Sequence, residues 1–253
     1  EKVCLALSGG LDSMVLLHLM HVHLNGKYKI RAIHVNHNLN ENSNDWSTFC
    51  KKQCSQLGID LTIESIHPEN NGSGLEASAR DERYRVIKEN LTQNELLLTA
   101  HHKDDQLETI LFRIFRGTAL KGLSGMGRVQ KHNHILLIRP LLNISKDQIL
   151  NYLEKAEVSF VEDESNDDDG YSRNFIRKNI VPLIKSKWNG IEKNVSRMTR
   201  LAREQNALYE AFIREELKKV TEDQNLSLSL LENYDPFFRS ELKTWGHIIE
   251  STI

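Results

Sequence analysis

The chain has 253 residues with 39% hydrophobic, 27% charged and 7% aromatic content, the proportions of a globular fold rather than a fibrous or disordered one. No run approaches the roughly 18 uninterrupted apolar residues of a membrane span, and Glu1-Lys2-Val3-Cys4 enters a strand-like run without a signal-peptide pattern, so a cytoplasmic protein with no membrane partner is expected. The formal charge of −2 is unevenly spread: Arg173 to Arg203 carries nine Lys/Arg against one acid, Glu192, an excess of +8 that leaves −10 elsewhere and points to a docking site for a polyanion.

In chain order, apolar runs of strand length alternate with amphipathic stretches, the pattern of βαβ units on a parallel sheet. Strands are predicted at Val3–Leu7, Ile30–Val35, Leu61–Ile66, Glu95–Ala100 and Ile135–Ile138. Helices are predicted at Met14–Leu24, Asp45–Leu57, Leu75–Asn90, Asp104–Phe115 and Lys146–Lys155, the last opened by Ser145 and Gln148 at capping-box spacing. The Gly-rich stretch from Gly117 to Gly127 reads as a functional or mobile loop. After the acidic loop Glu162–Asp169 come a short polar helix, a break at Pro182 and one long helix near Ile191–Val220. The expected organisation is an α/β nucleotide-binding domain over 1–185, then a smaller, mainly helical region over 186–253 that continues past residue 253. The cysteines Cys4, Cys50 and Cys54 are odd in number, and C-x3-C lacks a second pair for a tetrahedral metal site, so all three read as reduced thiols.

Ser8-Gly9-Gly10-Leu11-Asp12-Ser13, between the first strand and first helix, is an anion-binding turn: glycines bring the backbone close, and N–H groups and a helix N-terminus face the ligand. Ser8 and Ser13 add hydroxyl donors. Asp12 beside a phosphate is repulsive unless a cation lies between, which makes it a candidate Mg2+ ligand. The turn lacks the Walker lysine and the three-glycine dinucleotide spacing.

S-G-G-L-D-S after a first strand is similar to the phosphate loop of the N-type ATP pyrophosphatases. Further blocks follow: Ala32-Ile33-His34-Val35-Asn36-His37; Gly74-Leu75-Glu76-Ala77-Ser78-Ala79-Arg80 with Arg83-Tyr84; Thr99-Ala100-His101-His102-Lys103-Asp104-Asp105-Gln106-Leu107-Glu108-Thr109; Ile138-Arg139-Pro140-Leu141-Leu142; Glu162-Asp163-Glu164-Ser165-Asn166; and Arg173-Asn174-Phe175-Ile176-Arg177. In this order they resemble the bacterial tRNA(Ile)-lysidine synthetases over nearly the whole chain. Asn38 departs from the family, which has Gly there; Asn tolerates the left-handed backbone such a position needs.

The resemblance implies adenylation of the wobble cytidine of an isoleucine tRNA with a CAU anticodon, with ATP as substrate, followed by displacement of AMP by the amine of L-lysine. It implies that Ser8, Gly9, Gly10, Leu11, Asp12, Ser13 and His34 bind ATP. Asp105 and Glu108, three apart at a helix start, share a face at the sheet's carboxyl edge; spacing alone leaves open whether they merely complement the helix dipole, and the resemblance assigns them to lysine's ammonium. Arg173 and Arg177, four apart, suit a developing phosphate charge. His34 and His37 lack a third ligand for zinc and are assigned to the nucleotide pocket. Lys193, Arg197 and Arg200 form a basic stripe for tRNA phosphates, with Arg203 one step round. The assembly is left open, a homodimer included. Two alternatives differ in chemistry: a thiolase of the same fold, which would need cysteines placed for sulfur transfer, and a nucleotide-binding regulator without turnover, which leaves Asp105, Glu108 and the basic helix unexplained.

Overall fold

The structure is a computed structural model that describes residues 1–38, 42–67, 75–132, 135–162, 172–222 and 225–250. Gly74 and the acidic loop from Asp163 onward lie outside the described residues. The chain packs as two compact units, Glu1–Gly117 with Gly125–Ser196, and Thr118–Ser124 with Arg197–Ile253.

In the first unit, β1 (Lys2–Ala6), α1 (Leu11–Leu24), β2 (Lys29–Asn36), α2 (Ser43–Gln56), β3 (Asp60–Ser65), α3 (Leu75–Asn90), β4 (Glu95–Leu98) and α4 (Lys103–Phe115) alternate as the apolar periodicity predicts. Beyond α5 (Leu120–Leu123) come β5 (Val129–His132), β6 (Ile135–Ile138) and α6 (Lys146–Ala156). The sheet order is β3-β2-β1-β4-β6-β5, parallel except for β5, which pairs antiparallel with β6 at the edge. Strand β5 was not predicted. Its alternation is short and polar, and Arg139 secures it, donating from Nη1 to the Gly127 carbonyl (2.8 Å) and Gln130 Oε1 (3.1 Å).

The strand order reverses between β1 and β4, so the chain leaves the sheet in opposite directions on the two sides of that pair. A crevice at the carboxyl ends of β1 and β4 is the consequence. One face of the sheet buries Val3, Leu5, Met14, Leu17, Ala32, Cys50, Cys54 and Ile149 together. The other buries Cys4, Ile33, Val86, Ile87, Leu97 and Leu137. The three cysteines are core residues, and burial pushes their thiols up, Cys4 and Cys50 to about 12 and Cys54 to about 11.

The expected boundary at 185 differs from the observed packing. Ile191 and Val195, in the first turns of the long helix α9 (Ile191–Val220), pack with Leu107, Ile176 and Val181 of the first unit. The compact units therefore divide inside α9, after Ser196. Pro182 does not break the chain into separate elements. α7 (Ser172–Phe175) runs into a π-helical turn (Ile176–Ile180) and on into α8 (Val181–Lys187), which carries Pro182 in its first turn.

The second unit contains α5, α9 from Arg197 on, a two-stranded ribbon of β7 (Thr221–Glu222) and β8 (Asn225–Leu226), α10 (Leu228–Leu231) and α11 (Pro236–Glu250). Ile213, Leu217, Val220, Leu231 and Leu242 form its core. Arg203 donates to the Ser124 carbonyl at 2.9 Å, so it ties α9 to the α5 segment rather than continuing the basic stripe. The Gly117–Gly127 region is thus partly helical, and its end is clamped: Gln106 Nε2 donates to the Met126 carbonyl (2.9 Å) while its Oε1 accepts the Met126 N–H (2.7 Å). Among the described residues no helix is long and apolar enough to cross a membrane.

Candidate active site

The Ser8–Ser13 turn leaves β1 at the strand-order reversal. Gly9 has φ +88°, and a Cβ there would lie 3.0 Å from Cys50 Sγ and 3.1 Å from Val161 Cγ2, so both the backbone angle and the space demand glycine. Ser13 organises the turn from inside: its Oγ accepts the N–H groups of Ser8 (3.3 Å) and Gly9 (3.1 Å) and donates to the Gly10 carbonyl (2.9 Å). With its proton committed to Gly10, Ser13 shapes the loop, and the exposed Ser8 takes part as well, its hydroxyl 3.0 Å from Ser13 Oγ and accepting the Gly10 N–H at 3.3 Å. His34 supports the turn from behind. It is 4% exposed, Nδ1–H donates to the Leu7 carbonyl at 2.9 Å, and burial holds its pKa below the usual histidine value.

On the neighbouring side, α4 begins with a reciprocal cap. The Asp104 N–H donates to His102 Nδ1 (3.2 Å), and the His102 N–H donates to Asp105 Oδ2 (2.8 Å). This cap turns His102 Nε2 toward the phosphate loop, 3.6 Å from Asp12 Oδ2 and 3.5 Å from Asp105 Oδ2. Burial works against a charge on His102, but the Asp12 and Asp105 carboxylates outweigh it and raise the pKa; burial likewise works against ionised Asp12, and His102 and Lys146 outweigh it and lower the pKa. His101 is different: burial holds it well below the usual range, and its Nδ1 lies 2.9 Å from Thr99 Oγ1.

Asp105, Glu108, Arg173 and Arg177 converge in one cluster. Arg177 grips Glu108 through both carboxylate oxygens (2.8 and 2.9 Å) and reaches Asp105 Oδ1 at 3.4 Å. Arg173 Nε lies 3.4 Å from Glu108 Oε2 and its Nη2 3.9 Å from Asp105 Oδ1. Burial opposes the Arg177 charge, and the Glu108 and Asp105 carboxylates more than offset that, raising its pKa. The carboxylates expected to face a substrate ammonium are thus paired with the arginines expected to face phosphate; in the protein alone Glu108 is saturated by a bidentate guanidinium.

Sequence reasoning missed two lysines. Lys146 donates to both oxygens of Asp12 (3.0 and 3.2 Å) and, from its backbone N–H, to Asp104 Oδ2 (3.0 Å). Lys185 pairs with Asp104 and, at 2.7 Å, with Glu192. Burial opposes ionised Asp104, and Lys185 and the Lys146 N–H more than offset that, lowering its pKa; Asp104 is therefore the anchor joining α4, α6 and α8. A signal for Lys146 existed: a cation in the first turn of a helix opposes the macrodipole and needs an acid elsewhere to justify it. Asn38 has φ 51°, the left-handed backbone expected of it, and its N–H donates to Asn36 Oδ1 at 2.9 Å. His37 Nε2 accepts from Arg83 Nε (2.8 Å), and burial with the Arg83 charge brings its pKa to about 4. Lys193, Arg197 and Arg200 are exposed on α9, Arg200 pairing with Glu204 at 2.8 Å.

Among the described residues no three His, Cys, Asp or Glu side chains gather as a metal-holding group. One ionised carboxylate beside a turn expected to bind phosphate suits Mg2+, which takes most of its ligands from phosphate oxygens and water.

Residues 1–184 match the family model described as a PP-loop domain, and the chain belongs to that family. Within it, the chain is 39% identical over 227 residues to a tRNA(Ile)-lysidine synthase of Actinobacillus pleuropneumoniae serotype 3 (strain JL03), covering 89% of this chain and 53% of that protein. It is 37% identical over 250 residues to a tRNA(Ile)-lysidine synthase of Histophilus somni (strain 2336), covering 96% and 58%. The chain thus spans a little over half the length of these relatives. The fold is similar to that of the U34-tRNA thiolase NcsA from Methanococcus maripaludis, solved with its 4Fe-4S cluster, at a TM-score of 0.65 and 22% identity over 80% of this chain and 72% of that one. The likeness is one of fold; here the three cysteines are packed into the core.

Proposed function

We propose that this chain carries out the ATP-dependent attachment of L-lysine to C2 of the wobble cytidine of isoleucine tRNA with a CAU anticodon, by way of an adenylated cytidine, giving lysidine, AMP and pyrophosphate. The observation that carries the reading is the juxtaposition at His102: Asp12 of the phosphate loop and Asp105 of the carboxylate–guanidinium cluster lie within 3.6 Å of the same ring nitrogen. A phosphate loop beside balanced pairs of acids and arginines suits a reaction that joins a polyphosphate to an amine. The names of the relatives support the same chemistry.

In this reading the turn from Ser8 to Ser13 presents the pyrophosphate portion of ATP to the N-terminus of α1. Asp12 would hold Mg2+, which supplies charge neutralisation on the phosphate oxygens. Arg173 and Arg177 leave their carboxylates for the α-phosphate and stabilise charge there as the cytidine oxygen attacks. Asp105 and Glu108, uncovered by that departure, take the ammonium of lysine and orient it. Binding of the anion thereby prepares the site for the cation. Lys193, Arg197 and Arg200 contact tRNA phosphates, positioning the RNA without reading its bases.

The test is incorporation of labelled lysine into a CAU-anticodon transcript with ATP and Mg2+, measured alongside pyrophosphate release. Labelled tRNA is expected with this transcript and not with one carrying a different wobble base. Pyrophosphate release without lysine in the RNA would overturn the reading.

A further inference from the structure

Resting on the reading of the Ser8–Ser13 turn as an ATP site, we propose that Lys146 is a phosphate ligand of that site, held in reserve on Asp12 and transferred to the phosphate chain when Asp12 takes a divalent cation.

Its main chain is fixed. Ser145 Oγ accepts the Gln148 N–H (3.3 Å), Gln148 Oε1 accepts the Ser145 N–H (3.0 Å), and the Lys146 N–H is held by Asp104. The side chain is not fixed in the same way. It is 37% exposed, its partner Asp12 is 30% exposed, and their contact is the only hydrogen bonding of the ammonium among the described residues. Four methylenes on a clamped Cα give it reach without displacing the backbone.

Charge decides where the ammonium goes. With Lys146 present, Asp12 is already neutralised, so a divalent ion arriving at that carboxylate would meet a cation 3.0 Å from its ligand atom. The two positive charges cannot share the carboxylate at low cost. The polyphosphate that accompanies the ion is the nearest uncompensated anion, and a lysine is well suited to it as a point-charge donor. No such exchange is open to Lys185, which is shared between two acids.

The test is Lys146→Gln, with Lys146→Arg beside it, on the full chain. Calorimetry should show magnesium ATP and magnesium pyrophosphate bound about tenfold or more weakly by the Gln variant, the size of one charge-assisted hydrogen bond. Mn2+ alone, followed by electron paramagnetic resonance without nucleotide, should bind more tightly, because Asp12 is then without its competitor. The Arg variant should stay within about threefold of the unmodified protein for ATP. Were Lys146 only a neutraliser of Asp12, the Gln variant would bind magnesium ATP equally well or better, and that result overturns the proposal. If the Gln variant does not fold, the unmodified protein labelled with ε-13C lysine serves: the Lys146 signal, assigned by its loss in the Arg variant, should move on adding magnesium pyrophosphate, and a stationary signal overturns the proposal. Failure of the unmodified protein to bind magnesium ATP would instead sink the ATP reading beneath it.

Discussion

Glu108 and Arg177 face each other across α4 and the π-helical turn in a two-pronged ion pair, with the Glu108 side chain 4% exposed. Neither partner is free to meet a substrate until the other is released. Glu108→Gln keeps the shape and weakens the grip, and should lower unfolding free energy by about 1.5–3 kcal/mol, the range for hydrogen bonds to charged groups. In the unmodified protein, calorimetric lysine affinity should rise when a non-hydrolysable ATP analogue is present, and by reciprocity the analogue should bind more tightly with lysine. The Gln variant should lose this coupling. Lysine affinity indifferent to the analogue in the unmodified protein would remove the arginine exchange.

Two adjacent glycines should respond differently. Gly9→Ala meets both a left-handed φ and contacts at 3.0 and 3.1 Å, so melting temperature and ATP binding should fall together. Gly10 has φ −72° and its nearest neighbour to a new Cβ is Ser8 Oγ at 3.5 Å, so Gly10→Ala should keep the melting temperature and lose ATP affinity. Equal thermal losses would mean that the second glycine serves the turn and not the ligand.

Stability should decline as pH falls below about 6.5. His34, His37 and His101 all have lowered pKa values in the fold, so the unfolded chain binds protons that the folded one refuses, and each contributes a loss of up to about 1.4 kcal/mol per pH unit. His102, whose pKa is raised, has delivered its stabilisation in full below that pH and adds no slope there. Urea unfolding between pH 7.5 and 5 should show the fall, and His34→Asn should make it shallower. A flat profile would mean these rings gain protons in the native state.

The basic stripe on α9 predicts a salt effect. Replacing Lys193, Arg197 and Arg200 with Gln should flatten the slope of log tRNA affinity against log salt by about 0.7 to 0.9 for each phosphate that is no longer neutralised, with ATP affinity unchanged. A filter-binding titration with an unchanged slope would make the stripe solvated surface.

Periodicity was enough for the parallel strands, for α4 and for the extent of α9, because burying an apolar face repeats every two or every 3.6 residues. The left-handed backbone at Asn38 was readable from the glycine that the family has there, a conformation that Asn tolerates. The site was legible as a roster and not as a set of partners. Spacing put Asp105 and Glu108 on one helix face and the family resemblance gave them a role, but their pairing with Arg173 and Arg177, 65 to 72 residues later in the chain, depends on tertiary packing. Lys146 sits in an ordinary amphipathic segment, and only the approach of α6 to the phosphate loop gives it Asp12. Polar β5 was hidden because its edge position asks little of its side chains.

The π-helical turn between α7 and α8 works as a phase corrector. Arg177 and Lys185 both reach α4, at Glu108 and at Asp104, although eight residues of regular α-helix would overshoot two turns by about 80° and point them apart. The wider π winding between Ile176 and Ile180 takes up part of that excess. One residue removed between 176 and 180 would behave like a slipped tooth in a gear, letting the helix engage α4 at one of its two acids while disengaging the other.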